Sequence, residues 1–485
     1  MTGFTPAPHI RPRPCVGALM DIPCGRYHKG KYGDMILNGG FSNFIGFGGR
    51  GNTFKTALAL ANSLRVLDRY DTARLTVYDT EITFSIDRIE DMSSRFKNLD
   101  YITAVESGRI MLTSAAEHSG NAWWKIVRTH AEERMKNAKK LKTDTPFLDL
   151  NKVPIKAFPP EIHFLDSMSQ LQTDAVEEIY AKHEIDAGAA NTDALRGAAI
   201  KTRLVMQVPQ VTAGGGMTLI ATAHVGDEMK LDPYAPYKQQ LSFLKKGLKF
   251  KNTPEKFTFL TSNCWVVTDA HPLMNKSTKS PEYPLPGFND AVGDTDLQEL
   301  NLINVRSKSG PTGHAFKLII SQTEGLLPSL SEYHYLKERK DKFGLVGPEG
   351  IQKSYRLALY PETLLKRTTV RDTIDEDERL QRALEFTSEL CQIYEYWPDF
   401  ERKDIVHPQE LYDKLIELGY DWNIILDTRG YWTFDHYENK VQPLSTMDLI
   451  NMYHERYIPF WYPDKDKLKV KLKDQSGDTD GNSTA

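Results

Sequence analysis

The sequence predicts an α/β protein whose central sheet is mostly parallel, followed by a small α+β domain towards the C-terminus. Between Asn43 and Ile320, short apolar runs alternate with helical stretches, the pattern of parallel strands covered by helices on both faces. The acidic stretch RDTIDEDE at 371–378 suits an exposed boundary between the two parts. Beyond it, helical patterns flank the aromatic turn DTRGYWTFDHY, which indicates a compact accessory domain.

The 485 residues suffice for two or three domains. We expect an N-terminal segment at 1–38, a core domain at 39–370, the accessory domain at 371–470 and a disordered polar tail at 471–485. Seven core strands are expected, at 43–47, 74–79, 161–166, 217–224, 264–269, 302–307 and 315–320.

Composition limits the class of protein. With 40% hydrophobic and 26% charged residues, the chain is typical of soluble globular proteins. It has neither an apolar run near the ~18 residues of a membrane span nor the apolar core of a signal peptide. We therefore expect an intracellular protein with no membrane partner. The four cysteines form no C-x-x-C pair, so neither a zinc ribbon nor a disulfide framework is indicated.

The stretch GGRGNTFKT has the strand, loop and helix context of a phosphate-binding loop, with the helix beginning at Lys55. Gly49 and Gly51 would turn the backbone around phosphates, Lys55 would reach the β- and γ-phosphates, and Thr56 would bind Mg²⁺. Phe54 stands where the usual pattern has glycine. The nucleotide-binding candidates are Gly49, Arg50, Gly51, Asn52, Thr53, Phe54, Lys55 and Thr56. The alternative is a chance glycine-rich turn.

A carboxylate is expected beside this loop. The apolar strand EIHFLD ends in Asp166, which looks like the Walker B carboxylate that holds Mg²⁺ together with Thr56. Two further strands end near polar residues, Glu81 after RLTVYDT and His224 after MTLIATA. The simpler interpretations are a chance aspartate at Asp166, because apolar runs that end in aspartate are common, and an ordinary solvated loop carboxylate at Glu81.

The order of these elements is similar to that of the RecA-like ATPases, and the motifs resemble those of the UvsX-type phage recombinases. GRGNTFKT shares with that family a phenylalanine before the lysine, YDTE resembles its Y-D-S-E, and FLDSMSQL resembles its F-I-D-S-L-x-x-L. The segment from NVRSK to LLPSL looks like the family's late hairpin and following helix. The resemblance covers roughly Gly39 to Gly344.

This resemblance implies a RecA-like P-loop ATPase core with ATP and Mg²⁺ as cofactors. It assigns Glu81 to polarising the attacking water, His224 to sensing the γ-phosphate, and Lys55 to the same catalytic set. Arg306 and Lys308, two apart on a strand, would reach into the ATP of a neighbouring subunit. Such contacts require a head-to-tail homo-oligomer, which forms a filament or a ring according to whether its rotation closes.

The resemblance also predicts single-stranded DNA binding by two stretches, after the Walker B strand and after the sensor strand. The predicted contacts are Arg196, Lys201, Arg203, Lys245, Lys246, Lys249 and Phe250. Lysines interleaved with aromatic residues suit phosphate contact and base stacking. The simpler interpretations are a solvated amphipathic helix and an ordinary surface hairpin. The net charge of −4 does not itself indicate a nucleic-acid partner.

The implied function is that of an ATP-dependent recombinase. It would coat single-stranded DNA and promote homologous pairing and strand exchange with a duplex, in the cytoplasm of the host cell if phage-encoded. RSKSGPTG also resembles the K-Q-R-N-G-P-T-G run of DnaB-type hexameric helicases, which is the first alternative. The second alternative is a nucleotide-binding structural or regulatory protein with little turnover.

Overall fold

The structure, a computed structural model, describes most of the chain. The described residues are 9–82, 84–174, 190–228, 232, 234, 236–237, 239–288, 293–339, 341–350, 353–396, 406–466 and 468, with the backbone alone for 190–196. The predicted disordered tail and most of the first predicted DNA-binding loop lie outside these residues.

The regular elements alternate along the chain as the sequence predicts. The helices are α1 Asp21–Cys24, α2 Lys55–Arg69, α3 Ile86–Ser93, α4 Tyr101–Glu106, α5 Gly120–Lys136, α6 Ala138–Leu141, α7 Ala190–Gly215, α8 Glu255–Leu260, α9 Pro328–Glu338, α10 Val370–Glu376, α11 Glu378–Tyr396, α12 Pro408–Leu418, α13 Trp422–Leu426 and α14 Thr446–Tyr453. The strands are β1 Arg26–Lys29, β2 Met35–Asn38, β3 Phe44–Gly49, β4 Arg74–Asp79, β5 Ile110–Ser114, β6 Thr143–Leu148, β7 Pro154–Ala157, β8 Glu161–Asp166, β9 Met217–Asp227, β10 Leu248–Phe250, β11 Asn263–Pro272, β12 Leu297–Ser307, β13 Ala315–Ser321, β14 Gly325–Leu326, β15 Leu345–Glu349, β16 Ser354–Leu357 and β17 Tyr360–Leu365.

A ten-stranded sheet forms the centre of the fold, in the order β14-β13-β12-β11-β3-β9-β8-β4-β5, with β10 beside β9. The strands from β11 to β5 run parallel, whereas β12, β13, β14 and β10 pair antiparallel. The chain is therefore an α/β protein with a large, mostly parallel sheet, as predicted. All seven predicted strands lie in this sheet.

Helices cover both faces of the sheet. Side chains of α2, α9 and α11 share one hydrophobic cluster, and side chains of α5 and α7 share the other. Along β8, Ile162 and Phe164 belong to the first cluster and Leu165 to the second. Because successive strand residues point to opposite faces, a strand buried on both faces reads as a continuous apolar run. This explains why the core strands were recognisable in the sequence.

The two ends of the described chain pack on each other. The indole of Trp432 donates to the carbonyl of Arg13 at 2.8 Å, and the amide N–H of Met35 donates to Asp448 at 2.7 Å. Residues from both regions join the first hydrophobic cluster, together with the sheet. Burial is therefore continuous across the predicted boundaries at 38 and 370.

The region after residue 370 differs from its prediction in its strand content. In the described part of 371–470, α10 to α14 are the regular elements, and strand pairing is limited to the bridge between Arg429 and Pro443. The three-stranded sheet β15–β17 precedes residue 371. Within the acidic stretch, Asp375, Glu376 and Glu378 are exposed, whereas Arg371 is buried and forms ion pairs with Asp296 and Glu324.

Within the described residues, no helix combines the length and the apolar character that are needed to cross a membrane.

Candidate nucleotide-binding site

Four parallel strands bring the predicted site residues to one edge of the sheet. Gly49 at the end of β3 is in register with His224 on β9, and Asp79 at the end of β4 is in register with Asp166 at the end of β8. The carboxyl ends of parallel strands share an edge, where α/β proteins commonly bind ligands. The loop after β3 and the polar strand ends therefore face a common space.

The loop between β3 and α2 turns through residues other than glycine. Asn52 and Phe54 have positive φ angles of 57° and 58°, in the left-handed region that normally favours glycine. Gly49 is required for space, because a Cβ there would lie 2.3 Å from Thr53 Oγ1. At Gly51, by contrast, a Cβ would meet nothing within 4 Å. The half-buried Phe54 ring packs against the first hydrophobic cluster.

The first turn of α2 supplies a cation and a hydroxyl. Lys55 is only 6% exposed, and it forms no hydrogen bond or ion pair with the residues that the structure describes. Thr56 Oγ1 donates to Asp166 Oδ2 at 2.8 Å, and Thr222 Oγ1 donates to the other carboxylate oxygen. Burial raises the pKa of Asp166, and the two hydroxyl donors oppose that rise. The hydroxyl and carboxylate predicted to hold Mg²⁺ thus touch each other.

Glu81 lies between two donors at the same edge. Its Oε1 accepts a hydrogen bond from Ser167 Oγ at 2.9 Å and lies 3.1 Å from His224 Nε2. Partial burial raises the pKa of Glu81, but these hydrogen bonds and the nearby charges of His224 and Lys55 outweigh it, so the pKa lies below its usual value. Glu81 is therefore held as a carboxylate, the form that orients and accepts a proton from water.

Three residues of the site were not predicted from the sequence. Asp79 accepts hydrogen bonds from the backbone N–H groups of Glu81, Ile82 and Phe84 at 2.8–3.0 Å, so it shapes the loop that carries Glu81. Ser167 and Thr222 are the donors described above. An aspartate at a strand end commonly binds the backbone of the following turn, which was the available signal for Asp79.

Arg50 is exposed and forms an ion pair with Asp227 at 2.9 Å. Asp227 lies at the end of β9, beyond His224. The pair therefore joins the tip of the candidate phosphate loop to the β9–β10 hairpin. Exposed pairs of this kind add little to stability.

The first predicted DNA-binding stretch is divided by the structure. Lys201 Nζ points inward and donates to the carbonyls of Met168, Ser169 and Asn252 at 3.3–3.5 Å. Burial lowers the pKa of Lys201 to about 8. Arg203 is exposed, whereas the side chain of Arg196 lies outside the description. In this arrangement Arg203 is available to a phosphate and Lys201 holds two loops together.

The second predicted stretch contains one residue that does not fit its role. Lys245 and Lys246 are exposed and Lys249 is half-buried. Phe250, however, is 4% exposed and packs under β3, where a Cβ on Gly48 would lie 2.7 Å from its ring. A ring buried beneath the sheet cannot stack on a base, so this expectation is corrected. Phe243, beside the lysines, is an exposed aromatic residue of the stretch, at 44%.

Arg306 and Lys308 lie at the opposite edge of the sheet. Arg306 is paired with Cys264, which is paired in turn with Gly46 of β3, about 10 Å along the strand from Gly49. Lys308 Nζ donates to the carbonyl of Leu260 at 3.1 Å, just before β11 begins. Arg306 Nε is buried without a hydrogen-bond partner among the described residues. Both cations therefore lie away from the phosphate loop of their own chain.

A scan against protein-family models and a search of curated proteins found no match for this chain.

Proposed function

We propose that this chain is an ATP-dependent, single-stranded-DNA-binding recombinase with a RecA/UvsX-like P-loop core. The observation that carries the proposal is the contact of Thr56 with Asp166 beside the Glu81–His224 pair. These four side chains come from four separate segments of the sequence. Their convergence next to Lys55 is the arrangement that hydrolysis of a nucleoside triphosphate requires.

The residues at this edge fit a nucleotide with its magnesium ion. Lys55 is a buried cation without a partner among the described residues, and the space around Gly51 is open, so an anionic group can be received there. The N-terminus of α2 adds backbone N–H groups to the same side. Thr56 and Asp166 would hold Mg²⁺, which neutralises charge on the phosphates when bound.

Glu81 is the residue that acts on the attacking water molecule. The carboxylate orients a water molecule and takes its proton, while Ser167 and His224 fix the direction of Oε1. His224 also links the site to the β9–β10 hairpin. Its backbone N–H donates to Ser169 Oγ at 2.9 Å, and Ser169 Oγ donates to the carbonyl of Lys251 at 3.0 Å. A change at His224 is therefore transmitted to the base of the hairpin.

The DNA-binding role is assigned to the exposed cations of this region. Lys245 and Lys246 lie on the segment between β9 and β10, and Arg203 lies on α7, whose Lys201 contacts Asn252 just after β10. Lysine and arginine charges that are free of internal partners bind phosphates by releasing counterions. The exposed ring of Phe243 offers a stacking surface beside them.

The proposed phosphate loop and the cations Arg306 and Lys308 lie towards opposite edges of the sheet, which supports a head-to-tail assembly. The phosphate loop lies at the carboxyl edge, whereas Arg306 and Lys308 lie towards the amino edge. Surfaces on opposite sides of one subunit meet when copies stack head to tail, which gives a filament or a ring. In that assembly the two cations reach the nucleotide of the next subunit and stabilise charge that develops there.

A DnaB-like ring helicase is the second candidate. The observation that favours it is the SGPTG turn between β12 and β13, which follows Arg306 and Lys308 directly. Electron microscopy of the protein with ATP and single-stranded DNA separates the candidates. The proposal expects helical filaments, and closed six-fold rings would favour the helicase.

A Lys55→Ala variant tests the enzymatic part of the proposal, with Lys440→Ala as a surface control. We expect DNA-stimulated ATPase activity to be lost in the first variant and kept in the second. Full activity in Lys55→Ala would contradict both enzyme candidates.

A further inference from the structure

A second cluster of metal-ligating side chains lies near the amino edge of the sheet, away from the nucleotide site. Glu161 and His163 lie two residues apart on β8 and point to the same face of the sheet. His130 lies on α5, the helix that covers this face. One ligand atom from each of the three residues lies within 4.8 Å of the others.

His163 is the unusual member of the cluster. Its side chain is only 4% exposed, and neither ring nitrogen has a hydrogen-bond partner among the described residues. Burying polar atoms without partners is costly, and each such group in a folded protein calls for an explanation. The His130 ring lies nearby, with its centroid 5.8 Å from that of His163. A metal ion between these residues would satisfy a nitrogen of His163.

We propose that His130, Glu161 and His163 bind a transition-metal ion of the Zn²⁺ class. Two imidazoles and a carboxylate form a ligand set that binds ions of this class in preference to Mg²⁺ or Ca²⁺. Water would complete the coordination, because His130 is 32% exposed and leaves the site open on one side. Tetrahedral ligands at ~2.0–2.2 Å from Zn²⁺ lie about 3.3 Å apart, so the cluster has to contract slightly. His130, on the surface of a helix, is free to move inward.

Two arginines, Arg134 and Arg74, lie beside Glu161. Arg134 donates to Glu161 Oε2 at 3.2 Å, and its other donors bind the carbonyls of Gly215 and Pro159 at 2.7 Å. Glu161 Oε1 faces His130 Nδ1 at 3.9 Å and remains for the metal. Arg134 thereby acts as the outer partner that orients a ligating carboxylate. Arg134 and the exposed Arg74, the strand partner of Glu161, weaken the site relative to one without nearby cations.

The site is independent of the proposed ATPase function. It lies at the start of β8, whereas Asp166 lies at its end, five residues or about 17 Å further along. A bound metal would fasten α5 to β8.

Cobalt binding by the full chain tests the proposal. The protein is freed of metal by chelation and titrated with Co²⁺ without nucleotide or Mg²⁺, and Zn²⁺ is then added as competitor. We expect one Co²⁺ per chain, an intense visible absorption of the tetrahedral type, and displacement by Zn²⁺. The His130→Ala variant should weaken binding by at least the roughly 10–100-fold that loss of an outer-shell partner costs.

Two controls make the result decisive. His118→Ala removes an imidazole outside the cluster, and Asp166→Asn removes the carboxylate of the nucleotide site, so both should keep the absorption. Absence of Co²⁺ uptake by the unaltered protein would overturn the proposal. Uptake that His130→Ala leaves unchanged, or that Asp166→Asn abolishes, would overturn it too. As an independent readout, Zn²⁺ should raise the thermal unfolding midpoint of the unaltered protein and leave that of His130→Ala unchanged.

Discussion

Glu81 illustrates how single hydrogen bonds set the chemistry of the site. Its carboxylate accepts from Ser167 and faces His224, and its pKa lies below the usual value. A carboxylate with a lowered pKa stays ionised until the pH falls through that lowered value. The hydrogen bond from Ser167 therefore extends the range of pH over which Glu81 can accept a proton.

Removing the Ser167 hydroxyl should shift the acid limb of the ATPase profile. In Ser167→Ala the pKa of Glu81 rises, so activity is lost at a higher pH as the solution is acidified. The measurement is kcat as a function of pH, with the exposed Ser94→Ala as control. An unshifted acid limb in Ser167→Ala would show that Glu81 does not govern it.

In Glu81→Gln we expect kcat to fall by roughly 10²–10⁴-fold at every pH, with ATP binding retained.

Phe54 combines a strained backbone with a packed ring. Its φ of 58° lies in the left-handed region, which costs a non-glycine residue about 1–2 kcal/mol. Its ring rests against the hydrophobic cluster that includes α2. Both Phe54→Gly and Phe54→Ala lose the ring, but only glycine relieves the backbone strain.

We therefore expect Phe54→Gly to be more stable than Phe54→Ala by about 1 kcal/mol in urea unfolding. Equal stabilities would mean that the loop relaxes out of the left-handed conformation in the alanine variant. The ATP affinity of the two variants answers a separate question. A large loss of affinity in both would show that the ring is part of the nucleotide site.

The loop from Asp79 to Phe84 positions Glu81 as a unit. Asp79 is buried and accepts three backbone hydrogen bonds from this loop. In Asp79→Ala these donors lose their acceptor, at a cost of about 1–3 kcal/mol for each donor that stays buried. We expect kcat to fall while nucleotide binding persists, because Lys55 and Thr56 are untouched.

Equilibrium nucleotide binding and steady-state ATPase assays check this expectation. The exposed Glu90→Ala, on the following helix, is the matched carboxylate control. A variant Asp79→Ala with unchanged kcat would show that the loop holds its shape without its capping residue.

The segment between β9 and β10 should account for part of the salt dependence of DNA binding. In the double variant Lys245→Ala with Lys246→Ala, the two proposed phosphate contacts are lost. The slope of log affinity against log salt should then decrease by about 1.4 for single-stranded DNA. The charge-matched control is Lys279→Ala with Lys440→Ala. An unchanged slope would remove this segment from the proposed DNA path.

The elements differ in how readily the sequence reveals them. The seven core strands were predictable because burial on both faces leaves a continuous apolar run. Strands β5, β10 and β14 of this sheet were missed, since β5 is half exposed and β10 and β14 have three and two residues. The candidate phosphate loop, Asp166, Glu81 and His224 were predicted from strand ends and family motifs, and the structure brings them together at one edge of the sheet. The role of Thr222 could not be predicted from the sequence, because its contact with Asp166 depends on β9 lying beside β8.

Phe250 was wrongly predicted to be an exposed residue. Its position among lysines suggested an exposed stacking residue, yet β10 pairs with the end of β9 and buries the ring against Gly48. Local composition could not reveal this, since the pairing partner lies 25 residues earlier in the chain.

At the scale of the whole molecule, the position of Arg306 and Lys308 predicts complementation between subunits. The variant Arg306→Ala with Lys308→Ala keeps its nucleotide site but loses the cations offered to its neighbour. Glu81→Gln keeps the cations but loses hydrolysis. Each variant alone should show little DNA-stimulated ATPase activity.

Mixing the two variants should restore activity, because about one junction in four joins an intact site to intact cations when copies associate at random. Steady-state ATPase assays of the mixture, compared with each variant at the same total concentration, provide the measurement. A mixture no more active than its components would show that the two cations do not act between subunits.

The hydrogen bonds from Trp432 to Arg13 and from Gln392 to Leu19 span 419 and 373 residues of sequence. A ribosome adds roughly 5–20 residues each second, so about 20–80 s separate the synthesis of Arg13 from that of Trp432. Throughout that interval, apolar side chains such as Val16 and Ile22 lack part of the surface that finally buries them. The early segment of the nascent chain therefore keeps part of its apolar surface exposed, and open to a chaperone, until the helices after residue 370 have emerged.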